Sequence, residues 1–193
     1  MTLRTMALFG SILIFSGAAL AGEGNKKGDR ALNFFLKTYN PVKSGHKRVF
    51  LDKLVGKKVK EPKKLLLLSF FNIDCKPCRK ELPFLEKLHK RYKDAGLQVL
   101  VINCDSKKDK IDQVIEYVVD EQGFSFPVLK DRFQALQRRY GVGSFPTMYI
   151  IDSQGLIVDV RVGYNEETKP FPLADLQKRL GVKQEPLTAK GET

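Results

Sequence analysis

The chain contains no tryptophan, and its histidines are two, His46 and His89, among 193 residues. So few imidazoles make a closed tetrahedral zinc site hard to assemble, because any four-ligand set would be an unusual mixture. Cysteine is also scarce: Cys75, Cys78 and Cys104. Three is an odd number and two of them lie three residues apart, a spacing that suits a reactive pair better than a structural framework. Long apolar runs are missing beyond the N-terminus. Met6 to Leu20 spans about 15 residues, against roughly 20 for a membrane span, and no later stretch approaches that length. No internal repeat stands out. At 42% hydrophobic and 29% charged residues, the composition excludes collagen, a repeat array or wholesale disorder and fits one globular domain.

What is present at the N-terminus has the layout of a secretory signal peptide. Arg4 precedes the apolar run, and Ala19-Leu20-Ala21 places small residues where a signal peptidase reads, with cleavage before Gly22. An uncleaved anchor is the alternative. The expected organisation is a signal peptide over 1–21, a flexible leader over 22–30, a domain over 31–181 and a polar tail over 182–193. Export places the protein in the periplasm or on another extracytoplasmic face, where disulfides form. The net charge of +12 loses one Arg and no acid with the signal segment. Lysines crowd Lys53 to Lys64 and Lys107 to Lys110. They read as a solvated surface, with peripheral contact to an anionic membrane as the alternative. Nucleic-acid binding is not expected, since no recognition motif accompanies the charge.

Ala31 to Tyr39 and Arg48 to Leu51 are short β-like stretches separated by a loop. Leu65 to Phe71 is a seven-residue apolar run, which its length and flanks mark as a buried strand. A helix follows to about Asp94. It buries Leu82, Leu85, Leu88 or His89, and Tyr92, and Pro83 should kink it. Leu97 to Cys104 is a second buried strand. Lys107 to Gln122 is a second helix with Ile111, Val114, Ile115, Val118 and Val119 inward. Phe126 to Leu129 is a short strand, Arg132 to Tyr140 a helix, Met148 to Asp152 and Leu156 to Arg161 a hairpin, and Leu173 to Leu180 a last helix. This alternation predicts an α/β fold with a mixed central sheet covered on both faces by helices.

Between the first long strand and its helix lies Asn72-Ile73-Asp74-Cys75-Lys76-Pro77-Cys78. A Cys at a helix N-terminus faces unpaired backbone N–H groups and the positive end of the macrodipole, both of which favour a thiolate. Thiolate is the nucleophile of disulfide exchange, and a second Cys three residues on can resolve the mixed disulfide. Lys76 adds positive charge beside Cys75, while Asp74 opposes it. Half a zinc site and a purely structural disulfide are the alternatives. The first lacks a second CxxC, and the second would close too short a loop to constrain the unfolded chain.

The strand-CxxC-helix unit, Glu81 and Pro83 after it, and Ser144-Phe145-Pro146-Thr147 before the terminal hairpin resemble the thioredoxin superfamily. More narrowly they resemble its exported TlpA/ResA-like branch, whose members often act as reductants in cytochrome c maturation. The resemblance runs from about Gly28 to Leu180 and implies a thioredoxin-like fold with an N-terminal β extension. It implies an attacking thiol at Cys75, a resolving thiol at Cys78, and a cis-proline at Pro146 packed on the CxxC. Thr147 follows that proline, and the backbone of Phe145 would offer strand-like hydrogen bonds to an extended substrate segment. Glu81 would sit partly buried beneath the site and exchange protons with Cys78, the alternative being an ordinary first-turn Glu complementing the dipole. Many thioredoxins place an Asp in the preceding strand, where this chain has Ser69.

Two features depart from the pattern. Asp74 stands where the branch usually has Trp, replacing an aromatic shelf by a charge. Cys104 is a third thiol, read as a small buried hydrophobe or as a participant in exchange. The expected cofactor is none beyond the redox-active disulfide Cys75–Cys78, with no metal. The expected partners are protein disulfides or dithiols and a membrane electron donor. The rival readings are a non-catalytic binding module, a metallochaperone, and a peroxide-reducing relative. A copper carrier of this fold would need CxxxC and a downstream His, and no His follows His89. The segment before Cys75 does not match a peroxidatic loop.

Overall fold

The computed structural model describes residues 26–167 and 171–187. The signal segment, the start of the leader and the end of the tail lie outside the described residues. In chain order the elements are β1 (Phe35–Lys37), α1 (Pro41–Ser44), β2 (Arg48–Phe50), β3 (Leu65–Phe71), α2 (Lys76–Tyr92), β4 (Leu97–Asn103), α3 (Lys108–Ile115), β5 (Val128–Lys130), α4 (Ala135–Arg139), β6 (Thr147–Asp152), β7 (Ile157–Val162) and α5 (Leu173–Leu180). The main sheet runs β5-β4-β3-β6-β7. β3, β4 and β5 are parallel, while β6 and β7 join antiparallel.

β3 and β4 are buried along their whole length, as parallel strands covered on both faces must be. Alternate side chains of β3 serve the two layers. Leu65, Leu67 and Phe71 pack with Leu82, Leu85 and Leu88 of α2, Ile111 and Val114 of α3, and Leu176 and Leu180 of α5. Leu66, Leu68 and Phe70 pack with Val49, Leu51 and Val55 of the N-terminal extension and with Leu136 and Tyr140. Ser69 belongs by this alternation to the α2 face. That polar residue at the centre of a buried strand is the one break in its apolar pattern.

Of the β-like stretch expected over Ala31 to Tyr39, only β1 forms a strand, which pairs with β2 in a separate two-stranded sheet. Its flanks are spent on the main sheet instead. The Ala31 N–H donates to the Gly155 carbonyl and the Tyr39 N–H to that of Val128. Asn40 seals the join, donating to the Phe124 and Phe126 carbonyls and accepting from the Val128 N–H. Pro41, at the first helical position, opens α1 where a loop was expected.

The helix expected over Lys107 to Gln122 changes pitch after Ile115. Glu116–Glu121 forms a wider π turn. Tyr117 and Val118 are buried there and Val119 is half-buried, while Ile115, the last residue of α3, is 39% exposed. Ile115 is therefore not an inward residue. The helix expected from Arg132 begins three residues late, because Gln134 adopts a left-handed φ of 54°.

Candidate active site

Cys75 follows β3 at the C-terminal edge of the parallel strands and is the N-cap of α2. Its backbone is extended, so its side chain turns back over the first helical turn and Sγ accepts from the Cys78 N–H at 3.1 Å. Pro77 occupies the first turn, where its missing N–H costs nothing. Cys75 and Cys78 form a disulfide with S–S 2.02 Å. Cys75 is partly exposed and Cys78 fully buried. The approachable sulfur is thus the one at the helix end, where the positive end of the dipole falls.

Glu81 is one turn further along α2 and 2% exposed. Its Oε2 accepts from the Ser69 hydroxyl at 2.6 Å. Burial pushes its carboxyl up to about 7, while the Ser69 hydrogen bond and the nearby Arg161 guanidinium pull the other way. A group so placed exchanges a proton near neutral pH.

Pro83, inside α2, has no N–H to offer the Arg79 carbonyl one turn back. α2 nonetheless runs as one helix through it. Tyr117, in the π turn after α3, donates its hydroxyl to that carbonyl at 3.4 Å, and the Arg79 guanidinium lies 4.5 Å from its ring centroid. The segment between β4 and β5 therefore covers the first turns of α2.

The approach to Cys75 is built by long-range contacts. The Ile73 N–H donates to Asp105 Oδ2 at 2.8 Å, and Asn103 Nδ2 donates to the same oxygen at 2.6 Å. Tyr39 in turn donates to Asn103 Oδ1 at 3.2 Å. This chain of groups fixes the loop that presents the dithiol. Exposed Asp74 pairs with Lys110 of α3, Nζ to Oδ1 2.8 Å, and that hydrogen bond holds the ammonium above its usual range.

The Phe145–Pro146 bond is cis. Thr147 opposes Phe70 in the β3–β6 ladder, which sets Pro146 at the same sheet edge as Cys75. The Pro146 carbonyl accepts from the Gly163 N–H at 2.8 Å. Thr147 is buried and its hydroxyl donates to the Ser144 carbonyl at 2.7 Å, so that side chain braces the turn. Phe145, half-buried, precedes the ladder. Beyond Gly163, Tyr164, Asn165, Glu166 and Glu167 face Lys76, Pro77 and Lys80 across a cleft of about 440 Å³.

Cys104 is a free thiol at 2% exposure. It packs with Ile102 and Leu129 on the face of the sheet opposite to Cys78. Burial, reinforced by the Asp131 and Asp105 carboxylates, pushes its thiol up. A cavity of about 350 Å³ lined by Arg30, Leu51, Val55 and Gly155 lies at the other end of the sheet, where Leu65 pairs with Asp152 before the β6–β7 turn. It has no access to Cys75.

Sequence reasoning missed Lys110, Asn103, Asp105 and Tyr117. Lys110 belongs to a lysine run that reads as surface charge. A run of acids and amides after a strand carries no local mark of the loop it will hold.

The AhpC/TSA family profile matches residues 28–160. The chain belongs to that family. Thioredoxin-like protein YneN of Bacillus subtilis (strain 168) is 38% identical over 140 residues, 72% of this chain and 74% of its own length. Thiol-disulfide oxidoreductase ResA of Bacillus thuringiensis (strain Al Hakam) is 36% identical over 123 residues, 64% of each chain. The chain thus spans a little under two thirds of that relative. A crystal structure of a putative Thiol:disulfide interchange protein DsbE from Chlorobium tepidum is 27% identical, with a TM-score of 0.64 over 81% of this chain and 99% of that one. This AhpC/TSA family member has the thioredoxin-like fold and is a thiol–disulfide oxidoreductase of the ResA/TlpA type. Among its described residues no helix is long and apolar enough to cross a membrane.

Proposed function

We propose that the protein reduces disulfides of proteins outside the cytoplasm, apocytochrome c among the candidate substrates, through the Cys75–Cys78 dithiol. The observation that carries this reading is a disulfide with one partly exposed and one buried sulfur at a helix N-terminus. A carboxyl titrating near neutrality lies one turn away.

In the reduced protein, the Cys75 thiolate attacks one sulfur of a substrate disulfide. A mixed disulfide forms and the substrate's other sulfur leaves as a thiolate, which takes a proton from water. Ionised Glu81 accepts the Cys78 proton. The resulting Cys78 thiolate attacks Cys75 Sγ, forms the intramolecular bond and releases the second substrate thiolate, to which the Glu81 proton returns. Two electrons pass from the protein dithiol to the substrate, and a dithiol donor at the membrane restores the starting state. Phe145 and cis-Pro146 supply the edge along which an extended substrate segment lies. The apolar N-terminal run supports export, as do the ResA and DsbE relatives.

The test is reduction of insulin and of oxidised apocytochrome c, together with the Cys75–Cys78 reduction potential, with Cys75→Ala as control. A pair that neither cycles nor reacts faster than a free thiol sinks the reading. A potential near the oxidising end of the roughly −270 to −120 mV range of CxxC proteins reverses its direction.

A further inference from the structure

The residue before the attacking cysteine is a carboxylate, and its position poses a problem that the fold answers from elsewhere in the chain. A negative charge one residue from Cys75 raises the cost of forming the thiolate. It opposes the helix end and Lys76, which lower that cost. Asp74 is well exposed, at 67% of its side chain. Its counter-charge comes from Lys110, 36 residues away, at 2.8 Å.

Lys110 does not reach Asp74 by chance of surface packing. α3 is anchored over α2 by Ile111 and Val114, which enter the same core as Leu82 and Leu85. The turn that follows is tied to Arg79 through the Tyr117 hydroxyl, the Tyr117 ring and Glu121 at 4.0 Å. From the other side, Asp105 holds the Ile73 N–H, fixing the backbone just before Asp74. Both ends of the ion pair are therefore mounted on fixed elements. This lowers the entropy cost that weakens ordinary surface pairs.

We propose that Lys110 is a positioning residue that offsets the Asp74 carboxylate, so that the Asp74–Lys110 pair sets the thiolate fraction of Cys75. The proposal rests on the oxidoreductase reading. Other charged groups face this region: Lys76 and Lys80 on α2, Glu81 beneath it, Glu166 and Glu167 across the cleft, and Asp105 and Asp109 beside Lys110. Among the described residues, none of these forms an ion pair or hydrogen bond with Asp74, and Lys110 is the cation that acts through that carboxylate.

The experiment titrates Cys75 in the reduced full chain by the pH dependence of iodoacetamide alkylation. It compares wild type, Lys110→Met, Asp74→Asn and the double variant, with Lys110→Gln as a second removal of charge. Removing Lys110 slows alkylation at pH 7 by about threefold, the size of one uncompensated charge in a solvent-exposed setting. Asp74→Asn speeds it, and Lys110→Met made on top of Asp74→Asn changes the rate by less than about 1.5-fold. High salt screens the uncompensated Asp74 charge, so the gap between Lys110→Met and wild type narrows. Equal slowing in both backgrounds, or no slowing in wild type, overturns the proposal. Alkylation reads the thiolate and not turnover. A protein that shows this coupling yet reduces no disulfide keeps the pair and loses the oxidoreductase reading, and the converse outcome does the reverse.

Discussion

Ser69, in the middle of β3, donates its hydroxyl to Glu81 Oε2 at 2.6 Å, joining the central strand to the helix that carries the dithiol. A serine there gives a buried carboxyl a partner that serves either protonation state, because a hydroxyl both donates and accepts. The strand and the helix are thus joined by a buried hydrogen bond.

Glu81 gives the protein a pH-dependent stability of definite sign. Its carboxyl titrates near 7 in the folded state against 4.5 as its ordinary value. The folded form therefore holds more protons between those values, and stability falls as pH rises from about 4.5 through 7. Glu81→Gln removes that slope and is more stable above neutrality, by a few kcal/mol at most on linkage grounds (about 3). Urea unfolding at pH 5 and pH 8 measures it. Parallel losses in both proteins over that interval would remove Glu81 as the cause. Ser69→Ala raises the Glu81 carboxyl further, since the hydroxyl pulls it down.

Cys78→Ala retains the partly exposed sulfur and removes the resolving one. Incubated with a disulfide substrate, the reduced variant accumulates a mixed disulfide through Cys75, visible by mass spectrometry and cleared by added reductant. Cys75→Ala accumulates none, because Cys78 is buried.

Asp105→Ala leaves the Ile73 N–H and the Asn103 amide without their shared acceptor. Two hydrogen bonds to a carboxylate are lost in a buried setting, and the expected destabilisation is about 2 kcal/mol. The urea midpoint reads the loss. Slower Cys75 alkylation at pH 7 should accompany it if the loop also loosens. Asp105→Asn keeps an acceptor and recovers part of both.

Cys104 should be silent in native chemistry. Its thiol is buried and pushed up by burial, so a thiol reagent finds no reactive group in the oxidised native protein and one after unfolding. Cys104→Ala leaves the Cys75–Cys78 potential in place and costs about 1 kcal/mol of stability for the lost packing. A shifted potential would return Cys104 to the redox chemistry.

Much of this molecule follows from local pattern. The seven-residue run Leu65 to Phe71 reads as a strand by its short length and its flanks, although its leucines favour helix intrinsically, and its bounds agree with expectation. The period of Leu82, Leu85 and Leu88 marks the buried side of α2. The position of Cys75 before that helix follows from the same boundary, because a helix needs a start and the start has free N–H groups. In Lys107 to Gln122, Ile111, Val114 and Val118 are buried as expected while Ile115 stays exposed, and the change of pitch over Glu116–Glu121 has no mark in the apolar spacing.

The sequence by itself determined the buried strand β3, the helix α2 and the pair of sulfurs at its head, since each depends on residues within a few positions of one another. Tertiary structure decided what surrounds them. Ser69 and Glu81 meet because alternation in β3 turns one toward α2. Lys110 reaches Asp74 because α3 is seated by Ile111 and Val114, and Asp105 holds Ile73 because β4 ends beside β3. These are contacts between charged or polar groups 12 to 36 residues apart. Their energy depends on distance in space, which packing of the whole core sets and no stretch of sequence encodes alone.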